Sequence, residues 1–114
     1  MSSKEPTPKN YQSIAKRYPH FMAAVDALGE AAADAGPLPE KTRHLVQIGA
    51  AAAIRSEGAV HSHTRRALSA GATPEEIQHA VIAVTSTIGF PNVMAALSWV
   101  NDVTGAARRS GPQP

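Results

Sequence analysis

An all-α fold, a bundle of about five helices that gains stability by self-association, is what this sequence predicts. Three observations point there. Apolar residues recur at helical spacing through the middle of the chain, no stretch shows the strict alternation of a half-buried strand, and every break is marked by Pro or Gly. A length of 114 residues with 43% apolar content fits one domain around a single core. At this size a lone chain buries only a modest share of its surface, so copies packed together are expected.

The elements follow in order. Residues 1–8, rich in Ser, Pro and Lys, and residues 108–114, which end in RRSGPQP, are expected to be disordered tails around a domain spanning 9–107. A short helix through Tyr11, Ile14 and Tyr18 precedes one opened by Pro19, with Phe21, Val25, Leu28 and Ala32 on one face and Gly36-Pro37 closing it. Pro39 opens the next, with Glu40 at the positive end of the helix dipole and Leu45, Ile48 and Ala52 along its length. Its GAAAA segment, residues 49–53, lets a neighbouring helix approach closely and marks it as central.

The following helix starts at Ser56 and stops at Gly71, which suits the left-handed residue beyond a helix end. Thr73-Pro74-Glu75-Glu76 is the sharpest local signal: Thr73 caps, Pro74 fits the first helical position and Glu76 completes a capping box. One helix carrying Ile77, Val81, Val84 and Ile88 is expected to run to Gly89-Phe90-Pro91. A last helix then turns Val93, Met94, Leu97, Val100 and Val103 inward.

Bulk properties narrow the function. A net charge of +2 with scattered basic residues gives nucleic acid or a membrane surface no electrostatic footprint. The polar N-terminus does not read as a signal peptide and no apolar run is long enough for a bilayer, so a cytoplasmic protein is expected. With no cysteine, this chain encodes no disulfide, thiolate metal site or thiol nucleophile.

The run from Ser56 to Ile77, SEGAVHSHTRRALSAGATPEEI, followed by the Gly89-Phe90-Pro91 turn, resembles the core of the AhpD-like/carboxymuconolactone decarboxylase family. That core reads roughly C-x-x-C-x-x-x-H, a helix ending A-L-x-x-G, then A/V-T-x-E-E-I and a later G-x-P turn. The likeness covers about Pro37 to Val103. It implies an all-helical bundle assembled as trimers or hexamers. The peroxidase branch uses a Glu, two Cys and a His, and the matching positions here are His44, Ser56, Ala59 and His63. Without a thiolate to attack peroxide and a thiol to resolve it, that chemistry is lost. The resemblance therefore implies the decarboxylase branch, a cofactor-free lyase in which His63 serves as general acid/base on a small carboxylated molecule such as a lactone. The alternative is a noncatalytic small-molecule or metal-binding helical oligomer.

The candidate residues each have a plain structural reading beside the functional one. His63 shares a helix face with Ala59, Ala67 and Ala70, which leaves room for a ligand or simply for a core histidine. His44 stands where the family's acid would be, and two imidazoles resist sharing charge. It is otherwise a polar residue on an apolar helix. His61 and His63 point about 200° apart on a helix, so they do not face one pocket. Glu57 and His61 lie one turn apart on one face, where a carboxylate can fix an imidazole tautomer, or form only a surface pair. Ser56 with the N–H groups of Gly58 and Ala59 offers an anion a helix N-terminus, or is only a cap. Arg66 is a candidate carboxylate anchor or a solvated cation. No metal site is assigned.

Overall fold

A computed structural model of the chain describes residues 9–108. Both expected tails lie outside these residues, apart from Arg108, which closes the last helix. The described residues contain seven helical segments and no strand. They fall into two units divided between Leu38 and Pro39.

The first unit holds α1 (Lys9–Arg17) and α2 (Pro19–Asp34), joined at Tyr18, with Pro19 in the first turn of α2 as its fixed φ favours. The α1 segment folds back on α2, and the Tyr11 hydroxyl donates to both carboxylate oxygens of Asp26 at 2.8 and 2.9 Å. The apolar face seen in the sequence does not become a core. Met22 is buried, whereas Phe21 and Leu28 are 61% and 71% exposed and Val25 is exposed as well.

The second unit holds α3 (Glu40–Ala53), α4 (Glu57–Ser69), α5 (Pro74–Ile82), α6 (Thr85–Ile88) and α7 (Phe90–Arg108). Its core gathers Ile48, Ala51 and Ala52 of α3, Val60 and Ala67 of α4, Ile77 and Val81 of α5, and Val93, Ala96 and Val100 of α7. Each large aliphatic removed from water here contributes about 1.5–3 kcal/mol. Gly49 of α3 faces Ala80 of α5 and the Val84 side chain, at distances where a Cβ would make ordinary contact.

Local chemistry sets the ends of these helices. Ser56 caps α4, accepting a hydrogen bond from the Ala59 N–H at 3.3 Å, and Gly71 takes the left-handed φ of 99° beyond it. Thr73 and Glu76 form the complete capping box.

Two expectations are corrected. The single helix expected from Pro74 to Gly89 is interrupted after Ile82: the Val84 N–H bonds the Val81 carbonyl in a tighter turn, and the Thr85 hydroxyl donates to the Ile82 carbonyl. The Thr85 hydroxyl competes with the helical backbone at this point, and the bundle therefore has one more break than periodicity showed. Met94 was assigned inward but is 50% exposed; Ala96 and Val100 fill the buried stripe of α7 instead.

Candidate functional site

Two polar clusters sit on different sides of α4, each built with a neighbouring helix. The first joins α4 to α3. His63 and His44 meet through their Nδ1 atoms at 3.2 Å, with ring centroids 5.4 Å apart and planes inclined by 35°. The two helices that carry them share a core through Ile48, Ala51 and Ala52 of α3 and Val60 and Ala67 of α4. His44 is only 13% exposed at its side chain, and its Nε2 faces Glu40 Oε2 at 3.8 Å, one turn earlier on α3. At that distance the carboxylate acts by charge rather than by a direct hydrogen bond.

The electrostatics of this pair favour neutral rings. Burial, then His44, then Arg66 push the His63 pKa down from 6.5 to about 4. Burial also lowers that of His44, helped by Arg66 and Arg43 and opposed by Glu40. Only one proton fits between two Nδ1 atoms at this distance, so one ring donates and the other accepts. The Glu40 carboxylate favours the tautomer of His44 that carries its proton on Nε2. His44 Nδ1 then accepts from His63 Nδ1, and His63 Nε2 keeps a lone pair.

Arg66, exposed one turn beyond His63 on α4, places a guanidinium close enough to depress both imidazoles. Position 44, where the resemblance implies an acid, holds His44 instead, and the carboxylate that faces it comes from Glu40, one turn upstream. The i,i+4 spacing of Glu40 and His44 is visible in the sequence, where Glu40 also stands at the positive end of the helix dipole.

The second cluster joins α4 to α7. His61 Nε2 lies 2.9 Å from Asp102 Oδ2 and 3.9 Å from Glu57 Oε2. The Glu57–His61 pair anticipated from the sequence is therefore joined by a third residue, Asp102. It is 41 residues away from His61, and no local pattern announced it. The structure keeps His61 apart from His63, as their angular separation on α4 requires.

At the start of α4, the Ala59 N–H is taken by the Ser56 cap, so it is not available to an anion. Gly58 occupies the exposed first turn beside it. An open apolar groove of about 680 Å³ runs between α3 and α5, lined by Leu45, Val46, Gly49, Ala80 and Val84 among others. Neither His44 nor His63 lines it. The groove's titratable residues are Glu76, which is engaged by the Thr73 cap and by Lys41, and His79, whereas the His44–His63 pair brings two imidazoles into direct contact.

A helical scaffold in which two half-buried imidazoles meet between α3 and α4 defines the class, a small α-helical protein with a titratable pair at a helix–helix seam. The sequence profile of the carboxymuconolactone decarboxylase family matches residues 19–102, and the chain belongs to that family, as a cysteine-less member. The match reaches further toward the N-terminus than the motifs alone, taking in α2. An uncharacterized protein of Methanocaldococcus jannaschii is 32% identical over 92 residues, covering 81% of this chain and 86% of that protein. An uncharacterized protein of Haemophilus influenzae is 36% identical over 59 residues, 52% of each chain, so the match spans about half of that relative. No solved structure matches the chain.

Proposed function

We propose that this chain is a cofactor-free acid/base enzyme of the decarboxylase branch, acting in the cytoplasm on a small carboxylated molecule, with His63 as the group that moves the proton. The observation that carries this reading is the 3.2 Å contact between His63 and His44, backed by Glu40. A carboxylate, an orienting imidazole and a second imidazole in sequence hold the terminal ring in one tautomer, with Nε2 as the basic atom. A neutral imidazole is the form such a base needs at neutral pH, and the surroundings of His63 favour it.

Arg66 defines the substrate class. Its guanidinium offers a fork of N–H donors that matches a carboxylate, and a carboxylate docked there offsets the positive charge that holds the His63 pKa down. Binding an acidic substrate therefore raises the proton affinity of His63 as the reaction begins. Loss of CO₂ leaves the bonding electron pair on the substrate, delocalised as an enolate, and protonation at carbon completes the reaction; His63, which takes a proton from solvent onto Nε2 once the substrate carboxylate is docked, supplies that proton and returns to its neutral form. Glu57 and His61 stand outside this relay. The reading also includes self-association, because the exposed apolar side chains suit contacts between copies.

The test is turnover of a panel of small carboxylated lactones, carboxymuconolactone among them, followed by CO₂ release. His63→Gln is expected to lower kcat at least ~100-fold with the fold intact, the usual scale for removing a general acid/base. Arg66→Ala should act mainly on KM. Full activity in His63→Gln refutes the assignment, and saturable binding of the lactones without turnover by the unsubstituted protein favours a binding protein instead.

A further inference from the structure

We propose that Glu57, His61 and Asp102 form a binding site for a divalent transition-metal ion, a staple between α4 and α7 separate from the His44–His63 pair. The donor atoms are of the right kind: one imidazole nitrogen and two carboxylate oxygens, the set that borderline cations of the zinc, cobalt and nickel type accept. They are also gathered, since one ligand atom from each residue lies within 4.8 Å of the other two. Ligand atoms about 2.1 Å from a tetrahedral Zn²⁺ sit roughly 3.4 Å apart. The two edges at His61 Nε2, 2.9 and 3.9 Å, bracket that spacing.

Four further features separate this cluster from a chance group of acidic side chains. His61 presents Nε2, a common metal-ligating atom, to both carboxylates. It is the most sheltered of the three, with its side chain 24% exposed, so it anchors a site whose two exposed carboxylates can adjust by rotamer changes. The ligands come from two helices that already pack against each other through the core residues Val60, Ala67, Val93 and Val100, so the framework stands before the ion arrives. Two carboxylates and a neutral imidazole also balance a divalent charge, which removes the repulsion between Glu57 and Asp102 across His61. Three protein ligands leave the remaining coordination positions to water.

Isothermal titration of the full chain with Zn²⁺ at pH 7.5, together with the visible absorption of Co²⁺, tests the proposal. The expected result is one ion per chain, a Co²⁺ spectrum of low coordination number, and at least a tenfold loss of affinity in both His61→Ala and Asp102→Asn. Affinity in a His44→Ala/His63→Ala double variant should be unchanged. The Asp102→Asn variant keeps the side-chain volume and guards against a result that reflects misfolding of His61→Ala. Absence of saturable binding, binding that survives His61→Ala and Asp102→Asn, or binding lost only with His44 and His63 each overturns the site.

Discussion

His63 joins acid-base chemistry to stability, because a histidine whose pKa falls on folding resists protonation in the native state. Folded His63 takes its proton only near pH 4, whereas in the unfolded chain it does so near 6.5. Between those values the unfolded state binds more protons, so the contribution of this residue is complete above about pH 6.5 and is lost as pH falls toward about 4. His44, shifted in the same direction, adds to the effect. Thermal unfolding is expected to show a falling Tm across this window, with a shallower fall in His63→Gln; an equal slope in the two proteins would mean that the ring titrates normally. The sequence made His63 and His44 visible as candidates, but not their mutual contact, since spacing along one helix says nothing about the register of its neighbour. Asp102 was invisible for the same reason. Glu40 was legible through its spacing to His44 and was read for something else.

Individual helices were the most legible level, because their ends are decided by local chemistry. Ser56, Gly71, Thr73 and Glu76 do in the structure what their side chains announce in the sequence. The capping box of α5 is the clearest case, and its Glu76 carboxyl is held below the usual range by the Thr73 N–H and then by Lys41. Thr73→Ala removes the acceptor for the Glu76 N–H and is expected to cost about 0.5–2 kcal/mol, measurable as a shifted midpoint in urea. A change well under that range would mean that solvent replaces the cap without loss. The break between α5 and α6 was missed because apolar spacing at Ile77, Val81, Val84 and Ile88 continues through it. Periodicity reports which residues turn inward, whereas the Thr85 hydroxyl, by bonding the Ile82 carbonyl, takes part in setting where the backbone leaves the helix.

At the scale of the molecule, the fold class and family were legible from spacing and turn residues, but the distribution of apolar surface was not. Phe21, Val25 and Leu28 on α2, and Val46, Ile54, Ile82, Phe90 and Met94 in the second unit, remain exposed in the single chain. An amphipathic pattern marks a face that wants cover without saying whether the cover comes from the same chain. Light scattering coupled to gel filtration is expected to give three or six times the 11.9 kDa chain mass, and Ile54→Glu with Ile82→Glu should shift it toward one. An unsubstituted protein that elutes at the single-chain mass would refute the assembly. The paired Nδ1 atoms of His44 and His63 carry one last implication. With room for a single hydrogen between them, uptake at the outer nitrogen of one ring is matched by release at the outer nitrogen of the other, beside the solvent-facing Glu40. Which ring carries that shared hydrogen therefore decides which outer nitrogen, Nε2 of His44 or Nε2 of His63, is left as the acceptor.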